Sequence, residues 1–113
     1  MSGRPVIRRG ADAKFAPSRR PGIRQWPMVG PDASPDQNLV LVEADAGADV
    51  ELHPVPNSES FHVLAGELEV FGEGYRERLT AGDTCLFPAG HAHGVKVGGE
   101  PARFLVVFAP ARG

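Results

Sequence analysis

Short apolar runs separated by turn residues recur along most of the chain, and this spacing limits the fold more than any other feature. The runs span residues 38–45, 50–54, 60–66, 67–71, 75–80, 83–88, 93–97 and 103–110. Strand-length runs every 8–12 residues or so are typical of an all-β sandwich or barrel. Gly and Pro together supply 14 plus 11 of the 113 residues, without a fixed repeat, which favours many tight turns. No run has the periodicity of an amphipathic helix, so the sequence predicts an all-β domain.

The segment before these runs has a different character. Residues 1–21 show no strand or helix periodicity and are interrupted by prolines, so we expect an extended N-terminal arm ahead of one domain over residues 22–113. Within that domain, residues 22–31 could form an edge strand whose Trp26 anchors on the barrel or on a neighbouring subunit. A flexible tail is the alternative.

Charge is distributed unevenly along the chain. The net charge is −2, yet residues 1–30 hold seven of the twelve basic side chains and a single acidic one, Asp12. The basic residues are Arg4, Arg8, Arg9, Lys14, Arg19, Arg20 and Arg24. They are dispersed among Pro and Gly, and no recognition module follows them. We therefore expect no nucleic-acid partner, and a solvated arm is the simpler interpretation.

Cellular location and cysteine chemistry are limited by what the chain contains. A chain of 113 residues has room for one domain. The basic N-terminus has no apolar run behind it, and no stretch could span a bilayer, so a cytoplasmic protein without a membrane partner is expected.

Cys85 is the single cysteine and has no disulfide or CxxC partner, so we expect a buried, inert thiol.

Two motifs occur in order, separated by a short hairpin. The first consists of Gly47, His53, Val55, Glu59 and Gly66. The second consists of Gly82, Pro88, Gly90 and His93. With these spacings the sequence resembles the cupin family, whose first motif has a histidine where this chain has Val55. The resemblance implies a double-stranded β-helix, that is, a jelly-roll barrel.

Carried across position by position, the resemblance implies a metal centre with His53, Glu59 and His93 as ligands. Val55 takes the place of the family's second histidine, and Val97 that of its late asparagine. Two histidines and one carboxylate with open positions match the arrangement of non-haem Fe(II) oxygenases. We expect Fe(II), with Zn, Mn or Ni as alternatives, since ligand type alone does not choose among them.

The leading functional hypothesis is a metal-dependent enzyme that acts on an organic small molecule in the barrel lumen, most simply a dioxygenase. Isomerase, decarboxylase or cyclase chemistry is the alternative within the family, and zinc would act as a Lewis acid. A second hypothesis is a non-catalytic binding or sensor barrel without a functional metal site. A third is a structural or regulatory protein that uses the basic arm for association.

Strand alternation indicates which side chains face the lumen. The predicted substrate contacts are Val55, Phe61, Val95 and Phe104. His62 is out of phase with Glu59 and should point to the opposite face, whereas His91 is expected to be a solvated loop histidine near the rim. A homodimer is expected, because the edges of small jelly-roll sheets must be paired or covered.

Overall fold

A computed structural model describes residues 3–112 and contains, within that range, ten β-strands and one short 3-10 helix, Gly10–Asp12. The strands are β1 (Ala16–Pro17), β2 (Ile23–Val29), β3 (Asn38–Ala44), β4 (Asp49–His53), β5 (Ser58–Ala65), β6 (Glu67–Gly72), β7 (Tyr75–Thr80), β8 (Thr84–Phe87), β9 (His93–Val97) and β10 (Ala102–Ala109). Every predicted apolar run from residue 38 onward corresponds to one of these strands, so the all-β prediction is confirmed. Over residues 3–112, no helix has the length and apolar character needed to cross a membrane.

The strands form two antiparallel sheets. The larger sheet has the order β1-β2-β3-β10-β5-β8, and the smaller has the order β4-β9-β6-β7. Consecutive strands in the chain repeatedly change sheet, as in the step from β3 to β4 and again from β4 to β5. This exchange between two sheets is the jelly-roll architecture that the motifs implied.

The core lies between the two sheets, and alternation along each strand determines which side chains enter it. In β5, Glu59, Phe61 and Val63 are buried while their neighbours are more exposed. In β6 of the opposite sheet, Leu68 and Val70 are among the most deeply buried side chains. Each such apolar side chain contributes about 1.5–3 kcal/mol on burial. The inward faces of both sheets therefore stabilise the fold and also form the wall of the lumen.

The N-terminal segment adds to the larger sheet. β2 pairs with β3 along most of its length, with Trp26 opposite Leu41, so the strand predicted within residues 22–31 is confirmed. The indole of Trp26 lies 6.4 Å, centroid to centroid, from the ring of Phe15. β1 lies within the predicted arm and pairs with only two residues of β2. The boundary between residues 21 and 22 stays a prediction.

Candidate functional site

Three strands bring the predicted ligands to one end of the lumen. β4 ends at His53 and β9 begins at His93, and the two residues are directly opposite each other in the antiparallel pair. Their ring centroids are 5.7 Å apart. Glu59 is the second residue of β5 and reaches the same region from the larger sheet. The two imidazoles thus come from one sheet and the carboxylate from the other.

The contact between His93 and Glu59 is short and buried. Atom Nε2 of His93 lies 2.7 Å from Oε1 of Glu59, and the two residues are only 1% and 7% exposed. This distance is within hydrogen-bonding range, yet Glu59 Oε1 has no hydrogen-bond partner among residues 3–112. A buried carboxylate oxygen in this position is costly unless a proton or a cation compensates for it.

Backbone carbonyls orient both imidazoles. The Nδ1–H of His93 donates to the carbonyl oxygen of His91 at 3.0 Å, and the Nδ1–H of His53 donates to that of Glu51 at 3.0 Å. A carbonyl oxygen can only accept, so in the neutral rings the proton is on Nδ1 and Nε2 carries the free lone pair. Metal-binding histidines are commonly oriented by such a hydrogen bond from their second ring nitrogen.

Aromatic side chains pack around His93. The ring of Phe87 is stacked on the imidazole at 3.7 Å between centroids and 4° between planes, and Phe61 contacts it edge-on at 6.0 Å. Such contacts, together with the Nδ1 hydrogen bond, hold the ring in one orientation. The position of Nε2 is therefore set before any ligand binds.

The donor set fits a metal ion in chemical type, although the side chains are not gathered around a common point. Over residues 3–112, no group of three or more His, Cys, Asp or Glu side chains is arranged closely enough to hold an ion. The neutral tautomer of His93, however, presents a lone pair to a carboxylate oxygen at 2.7 Å, and two lone pairs at that distance require a cation or a proton between them. Val55, which is 2% exposed, adds only methyl groups.

A cavity of about 160 Å³ adjoins these side chains. His53, Glu59 and His93 all line it. The four predicted substrate contacts, Val55, Phe61, Val95 and Phe104, line it as well, although contact with a substrate stays a prediction. The cavity is therefore a largely apolar space with the candidate ligands in its wall.

Sequence reasoning missed two basic residues in this wall. Arg20 from the N-terminal segment and Arg112 after β10 both line the cavity. Neither belongs to a motif or to an alternating strand pattern, and Arg20 lies in the arm that is predicted to be solvated. No local signal in the sequence identifies these two arginines among the others.

The remaining histidines do not line the cavity. His62 lies on the outer face of the larger sheet, where its ring contacts the hydroxyl oxygens of Ser60 at 3.2 Å and Thr84 at 3.0 Å. His91 is half-buried, and its Nε2 lies 2.9 Å from the hydroxyl of Tyr75. His91 is therefore not the freely solvated loop histidine that the sequence predicts.

Two further groups near this end of the barrel have raised pKa values. Burial, and secondly the nearby Cys85, raise the pKa of the Tyr75 hydroxyl, which therefore stays protonated at neutral pH and can donate to His91. Burial also raises the pKa of the half-buried Cys85 thiol. Because the thiolate is the nucleophilic form, this shift agrees with the inert thiol expected from the sequence.

Comparison with known proteins is consistent with this architecture. Residues 40–108 match a family model described as Cupin domain. The chain is 35% identical over 80 residues to the dimethylsulfoniopropionate lyase DddQ of Ruegeria pomeroyi, an alignment that covers 70% of this chain and 40% of the lyase. The chain therefore spans well under half the length of that relative.

Two solved structures are similar over nearly the whole chain. KdgF from Halomonas sp. superposes with a TM-score of 0.82 at 26% identity, covering 91% of this chain and 93% of KdgF. The polyketide cyclase RemF from Streptomyces resistomycificus superposes with a TM-score of 0.80 at 25% identity, covering 94% of this chain and 81% of RemF.

Proposed function

The chain belongs to the cupin family, and on that premise we propose that it is a metal-dependent enzyme that acts on an organic small molecule inside the barrel. The observation that carries the proposal is the arrangement of His93, whose Nδ1 is bound to a carbonyl and whose Nε2 faces a buried carboxylate. The Nδ1–H of His53 likewise donates to a backbone carbonyl oxygen, that of Glu51. A ring held in this way has its free lone pair available to a metal ion.

His53, Glu59 and His93 would hold the ion. Neutral imidazoles suit Fe, Zn and Ni, and the carboxylate offsets part of the positive charge in an apolar lumen. When bound, a divalent ion would supply Lewis-acid chemistry or, as Fe(II), chemistry with dioxygen. The apolar side chains around it exclude water, which strengthens electrostatic interactions with a substrate.

Two reaction types are candidates for this site. Oxygenase-type chemistry is supported by the two-histidine, one-carboxylate composition with open positions. Lyase or cyclase chemistry is supported by the names of two relatives, a dimethylsulfoniopropionate lyase and a polyketide cyclase. We favour the oxygenase because it derives from the ligands of this chain, and dependence on dioxygen distinguishes it from lyase or cyclase chemistry.

A non-catalytic binding barrel is the second candidate function. The observation in its favour is the replacement of one family ligand by Val55, together with the open spacing of the candidate ligands within residues 3–112. In this alternative the cavity binds a small molecule without a metal. Ligand-induced stabilisation would then be unaffected by a chelator.

The test is the metal content of purified protein, measured by inductively coupled plasma mass spectrometry. We expect near-stoichiometric metal in the wild type and little in Glu59→Gln, which keeps the side-chain shape, or in His93→Ala. His62→Ala removes a histidine outside the lumen and should keep its metal. A circular dichroism spectrum rich in β-structure must be retained by all variants. Wild-type protein that stays empty after reconstitution under reducing conditions would favour the binding barrel.

Oxygen uptake separates the reaction types. If iron is found, consumption of dioxygen with a candidate substrate supports the oxygenase, and turnover that is unchanged under anaerobic conditions contradicts it. The control is Glu59→Gln, which should lose turnover under both conditions because the proposed site is incomplete. Activity in that variant equal to wild type would contradict the proposed site altogether.

Assembly and location belong to the same proposal. We propose that the protein is cytoplasmic and forms a homodimer. Exposed apolar side chains on β4, β5 and β8 support the dimer, since Leu52, Leu64 and Leu86 are all at least half exposed. The segment at residues 22–31 pairs with its own β3, so a partner would contact the molecule through other surfaces or through the part of β2 that β1 leaves uncovered. Light scattering after size-exclusion chromatography gives the molar mass in solution.

A further inference from the structure

The arginines that follow residue 19 fall into two groups. Arg24, Arg76, Arg78 and Arg103 each lie within 4.0 Å of a carboxylate oxygen on the outer surface. Arg20 and Arg112 have no such carboxylate partner among residues 3–112, and both line the cavity that holds the candidate ligands. Within residues 3–112, the cavity is therefore lined by two arginines that have no carboxylate oxygen within 4.0 Å.

Both arginines are attached to the barrel through their backbones. The Arg20 N–H donates to the hydroxyl of Ser18 at 3.1 Å, and the Arg20 carbonyl accepts from the Ile23 N–H at 3.3 Å. The Arg112 N–H donates to Oδ1 of Asn38 at 2.5 Å, and Asn38 is only 5% exposed. These contacts bring the two residues to the cavity from opposite ends of the sequence, where Arg20 is half-buried and Arg112 is exposed.

An aromatic ring also positions Arg112. The guanidinium carbon lies 5.0 Å from the ring centroid of Phe108, and Phe108 lines the same cavity. Stacking on an aromatic face holds the guanidinium plane while its N–H groups stay available to a ligand. Arg112 is thus positioned as an anion-binding group and does not depend on a charged neighbour.

The charges that line the cavity are unbalanced. Besides Arg20 and Arg112, Glu59 is the only charged side chain in its described wall, which leaves two positive charges against one negative charge if both histidines are neutral. A metal ion at His53, Glu59 and His93 would add further positive charge. An anionic ligand would therefore be favoured over a neutral one of the same shape.

From this distribution we propose that Arg20 and Arg112 bind the carboxylate of a small organic acid, which is the substrate class of the site. That this acid is a substrate rests on the proposed function. Binding of the anion by the two arginines does not depend on it. A guanidinium offers paired N–H donors that match a carboxylate. The apolar wall contributed by Phe104, Val106 and Phe108 suits the carbon skeleton. Paired guanidinium donors would suit a phosphate as well, but no helix N-terminus in the described chain lines this cavity to add backbone donors.

The test is binding of matched acids and amides to the purified, metal-analysed protein by isothermal titration calorimetry. The probes are small carboxylic acids from acetate to phenylacetate, each paired with its neutral amide, and inorganic phosphate. We expect at least one acid to bind about tenfold or more tightly than its amide, which corresponds to about 1.4 kcal/mol. Arg20→Gln and Arg112→Gln should each weaken that acid severalfold and leave its amide unchanged.

Arg19→Gln is the matched control, since Arg19 is the exposed neighbour of Arg20 and does not line the cavity. Equal weakening by Arg19→Gln would overturn the proposal, because the effect would then come from overall charge. Acids that bind no better than their amides, or phosphate that binds more tightly than every acid, would overturn it as well. Circular dichroism checks that each variant remains folded.

Failure of this proposal and failure of the proposed function give different results. Protein that contains metal but does not distinguish acids from amides retains the metal-dependent function and loses the carboxylate assignment. Protein that stays free of metal after reconstitution, yet binds acids through Arg20 and Arg112, retains the carboxylate assignment and is a binding barrel. Metal content and acid selectivity are therefore measured on the same preparations.

Discussion

Val55 is the side chain that most directly affects the chemistry open to this site. It lies two residues after His53, is almost completely buried and lines the cavity. A valine there provides packing contacts but no lone pair, so an ion held as proposed would have one fewer protein ligand than the family motif offers. Its retention would then depend on the three remaining groups.

Val55→His should strengthen metal retention. An added imidazole would provide a fourth ligand, so we expect the metal to be held about tenfold or more tightly, equivalent to about 1.4 kcal/mol. The larger side chain also overpacks the wall, which we expect to cost about 1–3 kcal/mol of folding stability. Competition with a chromophoric chelator measures the affinity.

Val55→Leu separates these two effects, because it adds volume without a ligand atom. It should lower the urea midpoint but should not increase the metal affinity. Equal metal affinity in Val55→His and Val55→Leu would show that residue 55 does not face the ion, and it would weaken the assignment of His53 as a ligand.

β9 positions the site because it lies between two strands of the smaller sheet. It pairs with β4 on one side and with β6 on the other. Gly94, the residue after His93, faces Phe71 across the β6 pair. A Cβ atom at Gly94 would overlap the Phe71 ring and lie 2.7 Å from the carbonyl oxygen of Val50. The close approach of these strands therefore requires glycine at this position.

Gly94→Ala should destabilise the protein and disturb His93. Because the strands must separate to admit the methyl group, we expect a loss of about 1–3 kcal/mol in the free energy of unfolding, together with lower metal content. Urea denaturation followed by fluorescence of Trp26 measures the first quantity. Gly99→Ala is the control, since a Cβ there meets no atom within 4 Å, and it should change stability by less than about 0.5 kcal/mol. Equal midpoints in the two variants would contradict the steric argument.

In the whole molecule, the proposed metal ligands connect the two sheets. His53 and His93 belong to the smaller sheet and Glu59 to the larger one. An ion bound by all three would therefore link the sheets at one end of the lumen. Metal binding and global stability should be coupled, because the unfolded chain does not hold the three groups together.

Removal of the metal should lower the melting temperature. An ion present at a thousandfold excess over its dissociation constant stabilises the folded state by about 4 kcal/mol. We expect a chelator to lower the melting temperature of wild-type protein and the addition of metal to restore it. Glu59→Gln should melt at the same temperature with and without chelator. A wild-type protein that is insensitive to chelator would contradict the proposed link between the sheets.

The arrangement of strands and the composition of the candidate site follow from short-range patterns in the sequence. Apolar runs and turn residues predicted every strand from β3 to β10, because a strand buries alternate side chains and ends at residues that favour turns. The resemblance of the two motifs to the cupin family implied His53, Glu59 and His93 as a set, and all three line one cavity. Such patterns are local, so they can be detected without knowledge of the contacts between strands.

The cationic part of the cavity depends on contacts between distant segments. Arg20 and Arg112 lie 92 positions apart (112 − 20) and line one cavity, in part because Asn38 and Phe108 hold the segment after β10 against the barrel. The contact of Tyr75 with His91 also joins segments that no periodic pattern relates. Residues outside strands have no repeating constraint on their direction, so their positions follow from packing alone.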